Sequence, residues 1–140
     1  MKKNPDYLKD ILAIFMEHEN KVFKWGSNDC ISFACKCVDA TYPDAHLYAK
    51  VEQAAYHNKT GANKVIKAHG KTIADLINEY MEPIDVKFAQ RGDMVLFSGE
   101  MGMTTGILWT DGVMSTGNYG AEIFNVVITH AWRVPKCLQQ

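Results

Sequence analysis

A chain of 140 residues, 47% of them apolar, suits one domain with its own core. Charged residues make up 22% and the net charge is -1, which argues against the basic face that general nucleic-acid binding or a polybasic membrane surface needs. No apolar run approaches the ~20 residues of a membrane span, and Asn4-Pro5-Asp6 interrupts any secretory leader after Lys2 and Lys3, so the chain is expected to fold in a cytosol without membrane insertion.

The first element expected is a helix with Asn4 as its cap and Pro5 at its first position. Leu8, Ile11, Leu12, Phe15 and Met16 recur at three- and four-residue steps, the mark of an amphipathic helix ending near Asn20. Residues 21–27 read as a linker carrying Phe23 and Trp25 and closing on Gly26-Ser27. Asn28 or Asp29 caps a second helix with Cys30, Phe33, Ala34, Cys37 and Val38 on its apolar stripe, and Thr41-Tyr42-Pro43-Asp44 ends it. Residues 45–70 are the least legible, with a helical pattern over 63–69 and Gly70 as its stop. Thr72 then caps a helix through Ile73, Leu76, Ile77 and Tyr80, which Pro83 terminates.

After Asp85 the pattern becomes short strands, over 94–97, 106–109, 113–115, 123–126 and 128–134, punctuated by glycines. Asp111-Gly112 is a hairpin turn signal. Helices first and an antiparallel meander second define the α+β class, as a single domain over residues 1–140. N-terminal helices packed on a sheet of four to six mainly antiparallel strands is the expected architecture. Residues 94–97, a continuous apolar run, belong near the sheet's middle, where a strand is covered on both faces.

The four cysteines are Cys30, Cys35, Cys37 and Cys137. A reducing compartment argues against a disulfide framework. Cys35-Lys36-Cys37 lacks metal-ligand spacing, its thiols pointing roughly 200° apart on a helix, so neither a metal nor a cofactor is expected. Cys30 is different, because it falls in the first turn of its helix. Exposed amides and the helix dipole there favour the thiolate. A histidine on a facing strand could then serve as general base. The competing reading is a core cysteine on an apolar stripe. Asp29 is explained by capping, with substrate orientation as its alternative, and Trp25 either packs over the helix start or walls a substrate groove.

Of the five histidines, His18 is expected on the polar side of the first helix. His46 and His57 fall in the illegible stretch, and His69 precedes the helix-stopping Gly70. His130 alone lies on an expected strand, where alternation puts it beside Ile128 and Trp132, and it is the remaining base candidate for Cys30.

The segment Trp25-Gly-x-x-Asp29-Cys30, followed by Phe33, resembles the nucleophile motif of NlpC-type cell-wall peptidases, which are papain-like cysteine endopeptidases and amidases of peptidoglycan. Arg91-Gly92-Asp93-Met94-Val95-Leu96-Phe97 is similar to their Gly-Asp-Leu-Val-Phe-Phe strand. Gly106-Ile107 resembles the end of their His-Val-Gly-Ile strand, and 131–134 their closing strand. The set is more similar still to a phage and prophage branch of short proteins encoded among tail genes. The resemblance spans about residues 20–135 and implies a papain-like NlpC-type fold. It also implies a catalytic histidine two residues before Gly106, where this chain has Thr104. The third, histidine-orienting residue of the family falls near 113–116, with Ser115 its candidate.

The expectation that follows is a phage tail-tip accessory protein of the virion with a papain-like fold and impaired catalysis. Its partner would be a larger tail-tip or hub protein, contacted through residues 45–70 and the loops around Gly99 and Gly117, with Tyr48, Tyr56 and Tyr119 as anchors. The alternatives are an active cysteine peptidase or amidase that cuts peptidoglycan during phage entry, using Cys30 and His130, and a cytosolic thiol hydrolase.

Overall fold

A computed structural model of the chain describes residues 3–22, 29–52, 73–99, 102–117 and 119–138. Helix α1 (Tyr7–His18) forms as expected, but with a different entry. Asp6 occupies the N-cap position without a side-chain cap bond. Asn4 instead joins helices: its Nδ2 donates to Asp10 Oδ2 at 2.7 Å and to the Ala40 carbonyl at 3.0 Å, and its backbone N–H donates to Thr41 O at 2.8 Å.

Those last two carbonyls belong to α2 (Cys30–Thr41), so α1 starts at the end of α2. It ends where His18 meets Phe33 edge-on, with ring centroids 5.6 Å apart, and the two helices therefore run antiparallel. On the inward stripe of α1, Ile11 and His18 are buried and Tyr7, Ile14 and Phe15 partly buried, whereas Leu12 and Met16 are exposed. His18 is thus buried rather than on the polar side. Helical spacing alone does not choose the inward face, and what packs against α1 does.

Helix α2 is nucleated by a reciprocal capping box. Asp29 Oδ1 accepts from Ser32 N–H at 2.7 Å, and Ser32 Oγ accepts from Asp29 N–H at 3.1 Å. Its buried residues surround the axis, including Ile31, Phe33, Ala34, Cys35, Cys37 and Val38, because α1, the sheet and α3 (Leu47–Glu52) enclose it. Asp39 fixes α3 by accepting from Leu47 N–H at 2.6 Å and Tyr48 N–H at 3.0 Å. The helical pattern read over 63–69 lies outside the described residues.

Helix α4 (Ile73–Tyr80) buries Leu76 and Ile77 and ends three residues before Pro83. The chain passes directly into β1 (Met81–Ile84), a strand that includes Pro83. Pro83 reads as a terminator in sequence, yet β1 is an edge strand, where a missing N–H can face away from the ladder. The other strands are β2 (Met94–Gly99), β3 (Gly102–Leu108), β4 (Val113–Gly117), β5 (Gly120–Phe124) and β6 (Ile128–Pro135).

Every pairing in this six-stranded sheet is antiparallel, in the order β1-β6-β2-β3-β4-β5. Strand β2 is interior and buried on both faces over residues 94–97. Met94 and Leu96 join the helix-side core with Ile107, Met114 and Trp132, while Val95 and Phe97 pack with Val113 and Ala131 on the other face. Asp93 anchors the entry to β2, receiving Arg133 Nη2–H at 2.9 Å and Gln90 N–H at 2.7 Å. No described helix is long and apolar enough to cross a membrane.

Candidate functional site at the start of α2

The capping box sets the rotation of α2 so that Cys30 meets β3. The residue is half-buried, and its sulfur lies against Thr105. Burial pushes the thiol pKa up, Thr105 pulls it back in part, and the Asp29 carboxylate raises it further. This reverses the expectation of a helix-stabilised thiolate. The Ser32 amide is already bonded to Asp29, and a negative charge already occupies the positive end of the dipole. Asp29 is itself buried and acts as the cap.

Thr105 is 1% exposed, and its hydroxyl completes no hydrogen bond of acceptable geometry, even with the thiol beside it. Thr116 Oγ1, on neighbouring β4, is likewise buried and unsatisfied. Ser115 donates to the Thr105 carbonyl at 2.6 Å, so it braces β3 below Cys30 through the backbone. Thr104, where the resemblance expects a base, lies elsewhere. It pairs with Phe97 across the ladder, donates to Gly102 O at 3.0 Å and faces the side of the sheet away from α2. The side chain that β3 offers to Cys30 is therefore Thr105, one residue further on.

His130 is exposed on β6 and sits directly opposite Leu96, which in turn opposes Thr105 on its other side. Two strand spacings, roughly 10 Å of backbone, separate β6 from β3. The His130 ring stacks on Trp132 at 5.8 Å between centroids, and its Nδ1 lies 2.9 Å from Thr129 Oγ1. Trp132 is buried and donates from Nε1 to Asn78 Oδ1 at 2.8 Å. Ile128, expected on the His130 side, packs on the opposite face because the β2–β6 register shifts between Leu96 and Phe97. Trp25 lies outside the described residues, as do Tyr56, His57 and His69.

Sequence reasoning missed His18, whose Nε2 lies 3.4 Å from Lys36 Nζ, a contact between two helices that no local pattern announces. Cys35 and Cys37 are fully inside, with thiols pushed up by burial, and Cys137 is exposed. Beside Thr105 the interior holds an apolar cavity of about 20 Å³, lined by Ile31, Cys35, Leu47 and Leu76 among others, which is far too small for a peptide or sugar.

Together the elements define an α+β domain in which a capped helix presents one half-buried thiol to the hydroxyl of an interior strand. The chain belongs to a family described as a domain of unknown function, DUF6950, whose model matches residues 2–134. No curated protein and no solved structure matches it.

Proposed function

We propose that this chain is a papain-like domain of the NlpC type that serves as an accessory piece of a phage tail tip, with its hydrolytic chemistry impaired. The observation that carries the reading is the contact between Cys30 and Thr105. A thiol in the first turn of a helix, turned toward an antiparallel sheet, is what the resemblance expects of the nucleophile position. A threonine hydroxyl in front of it cannot accept a proton near neutral pH. General-base transfer typically contributes about 10²–10⁴-fold, so its loss is severe. The raised thiol pKa works in the same direction. A fold of this kind stays useful through its surface, and a stable contact with a larger hub protein would bury at least about 1,000 Å².

Two measurements test the reading. Purified chain incubated with peptidoglycan fragments is expected to release little or no peptide. Robust release that disappears in Cys30→Ala overturns the impairment and leaves an active peptidase, with His130 as the first base to examine. Purified phage particles are expected to contain the chain at fixed stoichiometry. Its absence from particles, with the protein monomeric in the cytosol, overturns the accessory role in favour of a cytosolic thiol hydrolase.

A further inference from the structure

We infer that the outer edge of β5, with the groove beside it, docks an extended lysine- or arginine-bearing segment of a partner protein, which joins the sheet as a seventh strand. The two ends of the sheet differ. At the β1 end, Pro83, exposed Glu82 and a register shift block further pairing. At the β5 end, the described residues pair only with β4, and α1 covers only the start, where Gly120 abuts His18 O and Asn20 N. Beyond it Glu122 and Ile123 are exposed, Ile123 at 43%. An edge that no described residue pairs on its outer side, with no proline or lysine and an exposed isoleucine, is a template for another strand.

The chemistry of the groove selects the occupant. It holds about 750 Å³ on the face of the sheet away from Cys30, lined by Phe97, Thr104, Tyr119, Glu122, Phe124 and Val126 among others. Glu122 and Phe124 alternate onto that face of β5, and Glu122 Oε2 overhangs Gly117, 3.4 Å from where a Cβ would stand. Among the described residues the Glu122 carboxylate has no ion pair or hydrogen bond, and no lysine or arginine lines the groove. Tyr119 is 83% exposed at the rim, and the Phe97 and Phe124 rings stand 5.9 Å apart on the wall.

An added strand turns alternate side chains into this groove. A cation opposite Glu122 meets a carboxylate across the ladder and aromatic faces beside it. The intervening apolar residue of the partner strand covers Ile123 on the other face. Self-pairing of β5 about a twofold axis is disfavoured, because it brings two Glu122 carboxylates onto one short face. The site is independent of Cys30 and holds whether or not the thiol is active.

The test is an NMR titration of the isotope-labelled full chain with an eight-residue peptide of alternating lysine and valine. Controls are the same peptide with glutamate for lysine and one with a central proline. The lysine peptide is expected to shift the amides of residues 119–124, and the controls to leave them in place. Glu122→Gln should weaken binding about two- to fivefold, the size of one cross-strand charge pair, and Glu122→Lys should weaken it further. Glu122 is exposed, so both variants should keep a native spectrum, which the same experiment records. No shift with the lysine peptide, or equal shifts with the glutamate peptide, overturns the inference. Concentration-dependent dimerisation mapped to β5 also overturns it, by giving the edge to a second copy.

Discussion

Cys30 should alkylate slowly at neutral pH and accelerate steadily into the alkaline range. Its ordinary pKa is 9.0, and burial together with Asp29 carries it higher despite Thr105. At pH 7.5 a thiol of pKa 9.0 is about 3% thiolate, so Cys30 lies below that fraction. An activated thiol, with a pKa of about 3.5–7.5, would be about half ionised or more. The two cases differ at least about fifteenfold in reactive species at pH 7.5. The assay is iodoacetamide labelling between pH 6 and 10, with each cysteine followed by peptide mass spectrometry. Exposed Cys137 serves as the accessible reference, and buried Cys35 and Cys37 should stay unlabelled in the native protein. Labelling of Cys30 should climb about tenfold per pH unit up to its pKa. Asp29→Asn keeps a good N-cap acceptor but removes the neighbouring charge, so the curve should move to lower pH. A fast rate already on a plateau between pH 6 and 7.5 would refute the reasoning, because it requires a base or cation beside the sulfur.

The interior thiols make stability fall in alkali. Cys35 and Cys37 have folded-state pKa values raised above the ordinary 9.0, so the unfolded chain loses these protons first and binds fewer than the native chain. Their contribution is intact below the unfolded pKa, and above about pH 9 it falls by up to about 1.4 kcal/mol per pH unit for each thiol. The urea midpoint should therefore drop between pH 7.5 and 10.5, and the drop should shrink in Cys37→Ala relative to that variant's own pH 7.5 midpoint. An equal drop in both proteins contradicts it. Asp93→Ala removes the acceptor of Arg133 and of Gln90 N–H, and should cost about 2–3 kcal/mol in denaturant unfolding. Arg133→Lys keeps the charge but loses the fork that holds Asp93 and Phe88 O, and should cost less, about 1 kcal/mol. A loss below about 0.5 kcal/mol for Asp93→Ala would show that the pair is solvated rather than anchoring β2.

Local chemistry alone determined much of this protein. Asp29 and Ser32 satisfy each other's backbone amides three residues apart, so the start of α2 was legible without any tertiary contact. The apolar run over 94–97 announced an interior strand, because only burial on both faces leaves no polar alternation. Asp111-Gly112 marked a turn that Gly112 closes by accepting from Trp109 N–H at 2.8 Å.

Other features depend on what packs against each element. Helical periodicity alone does not choose the inward face of α1, and packing against α2, the Gly92 turn and the start of β5 buries Ile11 and His18 while leaving Leu12 and Met16 in water. Pro83 is a stop signal along the chain and an acceptable strand residue once β1 is known to be an edge. A one-residue register difference flips a side chain to the other face of a sheet, so counting back from Gly106 could not decide between Thr104 and Thr105. The same sensitivity, through the shift between Leu96 and Phe97, separated Ile128 from His130. The position of Cys30 was fixed by its helix cap, but the state of its thiol was not. Protonation depends on the dielectric and the charges around the sulfur, which only the assembled fold sets down next to it.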